Sequence, residues 1–189
     1  MPHRPQLLPS TRRLAAVLAF AVLALVHANA EVPAATPAAL EGLDARAAIE
    51  VANAWKGNGV TSFATTEAVH FAFPDGTEVT IPLPDDAVFV SLAPYVDHTH
   101  PCTTHYMSGC QGELVEVAFA VRALLADGTL LFDETLRTGA NGFLDLWLPR
   151  DQVVLLSFSA GGYAADAVVA THAGSPTCIT TVRLARAGS

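Results

Sequence analysis

Positive charge is scarce in this sequence. Ten lysine and arginine residues stand against eighteen aspartate and glutamate residues, which gives a formal net charge of −8, and Lys56 is the single lysine. A protein that binds nucleic acid non-specifically neutralises phosphates with clustered basic side chains. A chain with so few of them has no such basic patch, so nucleic acid is excluded as a partner.

Long hydrophobic runs are also missing. A membrane-spanning helix needs roughly 20 apolar residues, whereas the apolar run over 14–26 has thirteen. Arg12 and Arg13 precede this run, and Ala28-Asn29-Ala30 follows it shortly after. A basic start, a short apolar run and an Ala-x-Ala end are the three parts of a secretory signal peptide. We therefore predict a cleavable signal peptide over 1–30 and an exported protein with no membrane span after cleavage. Cleavage removes three basic and no acidic residues, so the net charge changes from −8 to −11.

The motifs of several common enzyme classes are absent. The sequence has no G-x-S-x-G nucleophile elbow, no paired catalytic carboxylates in a recognisable context and no glycine-rich phosphate loop. The Cys-x-x-Cys motif of thioredoxin-like oxidoreductases is missing too, because the residue at that spacing from Cys102 is His105. The sequence indicates no enzyme of these classes.

Hydrophobic periodicity predicts an α+β fold that begins with a small helical domain over 31–86. Apolar residues at spacings of three and four predict an amphipathic helix over 38–56. Short strands over 60–64, 69–73 and 79–83 then form a small β-hairpin sheet. A part of this size has a small core of its own, so we expect it to need the second domain or another copy of itself.

The remainder of the chain, 87–189, is predicted to be an antiparallel β-sandwich. Turn signals such as Asp127-Gly128 and Asn141-Gly142 recur every 8–12 residues between short apolar segments, which is typical of two packed antiparallel sheets. The predicted strands are 89–92, 115–121, 129–133, 143–148, 153–159, 163–170 and 178–184.

Cysteine is rare, and its count is odd. The three cysteines are Cys102, Cys110 and Cys178. Exported proteins meet oxidising conditions, where an even count indicates a disulfide framework. An odd count leaves two interpretations open, namely one disulfide with one free thiol, or a site at which all three cysteines act as thiolates.

Soft and borderline metal ligands are concentrated in residues 98–110. The stretch contains His98, His100, Cys102, His105, Met107 and Cys110. Cys178 begins the last predicted strand, and because the loops of a sandwich gather at its two ends, Cys178 can lie beside this stretch. Such donors select Cu(I), Zn(II) or iron–sulfur clusters.

The number of donors favours Cu(I). Zinc sites usually show two close Cys or Cys/His pairs, but Cys102-x-x-His105 is the one such pair here, and iron–sulfur clusters need four cysteines. Cu(I) is satisfied by two or three soft ligands. A plain disulfide, solvated histidines and a packing role for Met107 stay open as alternatives for the individual residues.

Five segments together resemble the CueP family of bacterial periplasmic copper-binding proteins. They are His100-Pro101-Cys102-Thr103-Thr104-His105, Cys110-Gln111-Gly112-Glu113-Leu114, Ala140-Asn141-Gly142-Phe143, Leu146-Trp147-Leu148-Pro149-Arg150-Asp151 and Pro176-Thr177-Cys178-Ile179-Thr180-Thr181. Their order and their spread over most of the chain make the resemblance specific.

The resemblance implies a periplasmic protein of copper resistance, a copper chaperone that supplies a Cu,Zn superoxide dismutase. It implies a metal site at Cys102, Cys110 and Cys178, with His105 as an additional or alternative ligand, and a first domain that forms a homodimer. It also implies a possible cysteine-dependent reduction of Cu(II). A thiol–disulfide oxidoreductase and a structural β-sandwich with one disulfide are the remaining alternatives.

Overall fold

Eleven short strands and one α-helix make up the part of the chain that the structure describes. The computed structural model describes residues 32–188, so the predicted signal peptide over 1–30 lies outside the described residues. A 3-10 turn spans Pro37–Leu40 and the helix α1 spans Ala45–Ala54. The strands are β1 Thr61–Ala64, β2 Ala68–Ala72, β3 Glu78–Pro82, β4 Ala87–Leu92, β5 Ala118–Leu125, β6 Leu130–Arg137, β7 Leu144–Pro149, β8 Val153–Ala160, β9 Tyr163–Ala170, β10 Cys178–Ile179 and β11 Ala185–Arg186.

The predicted long helix over 38–56 is wrong in its first half. Gly42 has a φ of 73°, in the left-handed region that glycine enters without steric cost, and this breaks the helical path after the 3-10 turn. Asp44 then starts α1, because its carboxylate accepts a hydrogen bond from the N–H of Ala47 at 2.9 Å. An aspartate at this position satisfies one of the free N–H groups at a helix start.

The first three strands form a small antiparallel sheet in the order β1-β2-β3. Helix α1 packs against this sheet through its buried face, and Trp55 contacts Phe71 and Phe73 edge to face. Phe89 and Met107 complete the same buried cluster. The core of the helix and small sheet therefore includes two residues that follow position 86, and the predicted domain boundary at that position stays a prediction.

The other eight strands form two facing sheets. The sheet β10-β4-β7 packs on the five-stranded sheet β11-β9-β8-β5-β6, with a second hydrophobic core between them. The alternating strands β5 and β8 send every second side chain into this core, which includes Val121 and Phe158. The predicted α+β class, with a helix and small sheet followed by a β-sandwich, is confirmed.

The predicted last strand over 178–184 is wrong, although its apolar alternation is real. Val182 and Leu184 are buried in the sandwich core. The backbone turns tightly at Val182, because the N–H of Arg183 donates to the carbonyl of Thr181 at 3.0 Å. Two-residue strands, β10 and β11, remain on either side of this turn, and β10 pairs with β4 in parallel rather than antiparallel direction.

The predicted strand over 115–121 begins too early. Glu116 has a φ of 56°, which interrupts the extended backbone, and its carbonyl accepts a hydrogen bond from the Arg137 guanidinium. The strand β5 therefore starts at Ala118 and continues to Leu125. The polar stretch between β4 and β5, residues 97–111, contains no regular strand, as the sequence predicted.

Candidate metal centre

A threonine hydroxyl fixes the backbone at His105. Oγ1 of Thr177 donates to the carbonyl of Ala64 at 2.7 Å and accepts from the N–H of His105 at 3.1 Å. The N–H of Ala64 in turn donates to the carbonyl of His105 at 2.9 Å. These bonds join the end of β1, the loop over 97–111 and the segment before β10, so the imidazole lies at the junction of three segments.

A single turn then carries the chain from Tyr106 to Cys110. The N–H groups of Gly109 and Cys110 both donate to the carbonyl of Tyr106, at 3.1 and 2.8 Å. The N–H of Tyr106 donates back to Sγ of Cys110 at 3.4 Å. This turn brings the sulfur of Cys110 close to the imidazole of His105.

The strand β10 places Cys178 beside the same loop. Cys178 pairs with Ser91 of β4, at the edge of the three-stranded sheet. The carbonyl of Thr103 accepts hydrogen bonds from the N–H groups of Thr177 and Cys178, at 2.9 and 3.2 Å. The residue that follows Cys102 is therefore bonded directly to the backbone of Cys178.

The four sequence-predicted site residues come together at this junction. The Sγ atoms of Cys102 and Cys110 are 3.6 Å apart, and all three cysteines are free thiols in the structure. The four residues and His100 contribute to two sets of three donor atoms, and within each set the atoms lie within 4.8 Å of one another. One set is His100, Cys102 and Cys110, and the other is His105, Cys110 and Cys178. Cys110 belongs to both sets.

His105 is fully buried, and within residues 32–188 neither of its ring nitrogens has a hydrogen-bond partner. Its ring packs against Phe143, with centroids 4.6 Å apart, and lies 6.1 Å from the ring of Phe89. A buried polar atom without a partner costs on the order of 1–3 kcal/mol, and such atoms are rare in folded proteins. An imidazole in this state, beside two sulfur atoms, fits a metal ligand.

Cys110 is the most acidic of the three thiols. Its pKa is lowered to about 3, first by the neighbouring Cys178 thiol and then by the adjacent His105 side chain and the N–H of Tyr106, while burial opposes the shift. Hydrogen bonding to Cys110 and burial raise the pKa of Cys178, and burial raises the pKa of Cys102. Interactions that stabilise a charged form favour that form, so the neighbours of Cys110 favour its thiolate, which is the metal-binding form of cysteine.

The single lysine, Lys56, is hydrogen-bonded to the loop that carries Cys110. Nζ of Lys56 donates to the carbonyl of Cys110 and to Oε1 of Gln111, both at 2.7 Å. Burial lowers the pKa of Lys56, and the nearby Cys110 acts in the opposite direction. The residue just past the end of α1 is in this way tied to the loop that carries the thiols.

Two other residues of the 98–110 stretch point elsewhere. Met107 is fully buried in the core of the helix and small sheet, so its thioether serves packing. His98 is exposed, and its Nδ1 lies 3.6 Å from Oε1 of Glu113. The Glu113 carboxylate accepts hydrogen bonds from the N–H groups of Val96, Asp97 and His98, so it mainly holds the backbone of the loop.

Sequence reasoning missed three residues that build the site. Thr177 and Phe143 both lie in segments that carried the family resemblance, but nothing in the sequence indicated that one would hold His105 and the other would pack on it. Lys56 was visible as the single lysine, yet its contact with Cys110 joins residues far apart in the chain. These roles depend on tertiary contacts that periodicity does not report.

A β-sandwich with a thiol and imidazole cluster at one end defines a protein that binds soft metal ions. The family described as "Periplasmic copper-binding protein CueP" matches residues 47–183, and this chain belongs to that family. The chain is similar to the crystal structure described as that of S.CueP, at 28% sequence identity over 78% of this chain and 92% of the other, with a TM-score of 0.72. The search of curated proteins finds no match.

Family membership confirms the resemblance that the five sequence segments indicated. The family is a periplasmic and copper-binding one, so copper is the metal that the cluster is expected to hold, and its sulfur and imidazole donors fit that ion. In residues 32–188, no helix has the length and apolar character needed to cross a membrane.

Proposed function

We propose that this protein binds Cu(I) in the periplasm through the thiolates of Cys102, Cys110 and Cys178, with His105 as an additional ligand. The observation that carries the proposal is the buried imidazole of His105, which has no hydrogen-bond partner and offers a ring nitrogen within 4.8 Å of the Cys110 and Cys178 sulfurs. A metal ion bound there gives the imidazole the partner it lacks.

The donor types support Cu(I) over other ions. Thiolate sulfur and imidazole suit Cu(I), and the low pKa of Cys110 supplies one of the deprotonated sulfurs that binding requires. Zinc prefers four tetrahedral ligands in structural sites, whereas each compact donor set here has three members. The 3.6 Å separation of Cys102 and Cys110 is well beyond the roughly 2.05 Å of a disulfide bond.

Exposure differs across the cluster in a way that supports transfer of the ion. Cys102 is partly exposed, while Cys178 and His105 are buried. A partner's ligands can replace an exposed thiolate without opening the core. We propose that the protein buffers Cu(I) or delivers it to a copper-accepting periplasmic protein such as a Cu,Zn superoxide dismutase, and that its acidic surface favours a positively charged partner.

The cleavable signal peptide over 1–30, the boundary between domains 31–86 and 87–189 and the homodimer through the first domain belong to the same proposal. The small sheet β1-β2-β3 supports the homodimer, because β3 is an edge strand that offers backbone groups for pairing. Intact mass of the exported protein tests the cleavage after Ala30. Sedimentation equilibrium at several concentrations tests the dimer, and a monomer throughout would contradict it.

Anaerobic titration with Cu(I) against a chromophoric chelator tests the metal site. The wild type is expected to bind one Cu(I) ion per chain and to lose its three reactive thiols on binding. Each single Cys→Ser variant should weaken binding by about tenfold or more, since even residues that only orient a metal ligand often contribute this much. Met107→Leu is the matched control, because it removes a soft sulfur from the core at nearly constant volume.

The three-cysteine site is wrong if Cys178→Ser leaves Cu(I) binding unchanged, or if copper protects one thiol alone. Either result would leave the alternative of a structural β-sandwich that uses its cysteines for a disulfide.

A second candidate function is the reduction of Cu(II). The 3.6 Å separation of the Cys102 and Cys110 sulfurs supports it, because two thiolates at that distance can close a disulfide and give one electron to each of two Cu(II) ions. Turnover with an external thiol reductant would establish a reductase or a thiol–disulfide oxidoreductase. A single stoichiometric burst of Cu(I) would show that the protein's own thiols react once and that it is no enzyme.

A further inference from the structure

The donor atoms of the cluster form two sets that differ in their exposure to solvent. His100 and Cys102 are partly exposed, and they form the outer set with Cys110. His105 and Cys178 are buried, and they form the inner set with the same Cys110. Each set offers one imidazole and two sulfurs, so both match Cu(I) in donor type.

The outer set lies beside an opening to solvent. His100 lines an open cavity of about 340 Å³ together with His98, Gln111 and Glu113. Phe143 lies near both imidazoles, because its ring packs against His105 at 4.6 Å and lies 6.5 Å from the ring of His100. An ion that arrives from solvent therefore meets His100 and Cys102 before it can meet His105 and Cys178.

We propose that Cu(I) enters this protein at an outer position formed by His100, Cys102 and Cys110 and passes to an inner position formed by His105, Cys110 and Cys178. Cys110 belongs to both sets and stays bound throughout, and Cys102 is kept as well, so the end state has the three thiolates and the His105 ligand of the proposed function. This inference deepens the proposed function and rests on it, since it assigns an entry role to His100 and an order to the ligands.

The exchange is balanced in bonds, protons and electrons. The bond from copper to His100 breaks as the bonds to Cys178 and His105 form, the bonds to Cys102 and Cys110 are kept, and copper remains Cu(I). Cys178 gives up its thiol proton when it binds, and this proton passes to solvent, to which His100 and Cys102 are partly exposed. The direction follows from burial, since the inner position gives the unpartnered imidazole of His105 a partner.

Backbone hydrogen bonds join the segments that form the outer and inner metal positions. The carbonyl of Thr103 is bonded to the N–H of Cys178 at 3.2 Å, and Thr103 follows Cys102 directly. The Cys110 sulfur is held by the N–H of Tyr106 at 3.4 Å. Because these bonds do not involve the donor side chains of Cys102 and Cys178, the ion can change partners without rearrangement of the loop.

A crossed set of variants in the full-length chain separates the two positions by Cu(I) affinity. In the Cys178→Ser background, binding should depend on the outer set, so adding His100→Ala should weaken it by about tenfold or more, and adding His105→Ala should change it by no more than about twofold. In the Cys102→Ser background, binding should depend on the inner set. Adding His105→Ala should then weaken it by about tenfold or more, and adding His100→Ala should change it by no more than about twofold.

His98→Ala is the matched control in both backgrounds, because His98 lines the same opening but belongs to neither set. His105→Gln replaces His105→Ala if the alanine variant fails to fold, as judged by circular dichroism. The inference is overturned if His100→Ala has no effect in the Cys178→Ser background, or if both histidines contribute equally in both backgrounds.

Loading kinetics give a second readout. His100→Ala in the otherwise wild-type chain should slow the transfer of Cu(I) from a chelator by about tenfold, while the affinity falls by less than about threefold. Unchanged loading would contradict an entry role, and an equal loss of rate and affinity would make His100 an ordinary ligand of a single site. Failure of the wild type to bind Cu(I) at all would refute the proposed function itself, which distinguishes the two cases.

Discussion

The imidazole of His105 packs against the ring of Phe143, with their centroids 4.6 Å apart, at the buried end of the thiol cluster. Phe143 is buried in one cluster with Cys110 and Cys178, so a single aromatic ring covers the imidazole and two of the sulfurs. An apolar cover of this kind excludes water and limits access to a metal site. Several measurable consequences follow from this arrangement and from the hydrogen bonds around it.

Removing the aromatic cover should affect stability and copper binding together. Phe143→Ala is expected to lower the free energy of unfolding by about 3 kcal/mol, because it leaves a cavity in a packed core, and to weaken Cu(I) binding by opening the inner donors to water. Chemical denaturation and chelator competition measure the two effects. Val168→Ala is the control, since Val168 is 68% exposed and its replacement should change the stability by less than about 0.5 kcal/mol. Unchanged copper affinity in Phe143→Ala would show that the cover is purely structural.

The hydrogen bonds of the Thr177 hydroxyl should stabilise the fold beyond what the volume of the side chain contributes. Thr177→Val keeps the volume but leaves the N–H of His105 and the carbonyl of Ala64 without this partner, which is expected to cost about 1–3 kcal/mol of stability. Cu(I) affinity should fall as well, because His105 is no longer held in place. Thr103→Val, at an exposed threonine of the loop over 97–111, is the matched control. Equal effects of the two substitutions, measured by denaturant unfolding, would contradict the role given to Thr177.

The hydrogen bonds from Lys56 to the loop that carries Cys110 should contribute modestly to stability and to Cu(I) affinity. Lys56→Met preserves the aliphatic stem and removes the hydrogen bonds to the Cys110 carbonyl and the Gln111 side chain. We expect a loss of about 1–2 kcal/mol in unfolding free energy and a weaker Cu(I) affinity. Arg122→Met removes an exposed cation whose ion pair with Asp133 spans 4.0 Å, and exposed pairs contribute about 0–1 kcal/mol. If both variants retain wild-type Cu(I) affinity, the hydrogen bonds of Lys56 have no part in holding the thiols.

Acid should weaken the loop that carries the thiols. Burial alone would raise the pKa of Glu113, but the N–H groups of Val96, His98 and Asp97 and the side chain of His98 together lower it. A carboxyl with a lowered folded-state pKa contributes stability that is fully present above its unfolded pKa of about 4.3 and is lost as the pH falls through the folded value. The stability difference between wild type and Glu113→Gln should therefore be large at pH 6 and shrink toward pH 3.

The control for this pH dependence is Glu134→Gln, which removes one carboxylate from the exposed strand β6. Its stability difference from wild type should vary less over the same range. Urea unfolding at each pH measures both variants, and parallel curves for Glu113→Gln and wild type would refute the assignment.

Much of the fold could be predicted because local patterns carry it. The alternation that buries Val154, Leu156 and Phe158 of β8 is visible in the sequence, and the strand lies within one residue of its predicted limits. Predictions were wrong where the backbone geometry changed without a change in hydrophobic pattern. Leu40 and Ile49 both belong to one buried cluster, so the periodicity continues across Gly42 although the helix does not. The same holds at Arg183, where buried side chains alternate across a tight turn.

The sequence by itself determined the chemistry of this protein. Thiol and imidazole donors in residues 98–110, with Cys178 as the third sulfur, indicated a soft-metal site, and the segments around them indicated the copper-binding family to which the chain belongs. These properties depend on which residues are present and how they are spaced, so they can be inferred from one chain.

The tertiary structure alone decided how the donors are arranged. It buried His105, left His100 partly exposed and placed Cys110 in contact range of both. It also brought Thr177, Phe143 and Lys56 to the cluster from distant positions. Burial and contact between distant residues depend on the packing of β10 on β4 and on the turn from Tyr106 to Cys110, and the local pattern of side chains contains neither.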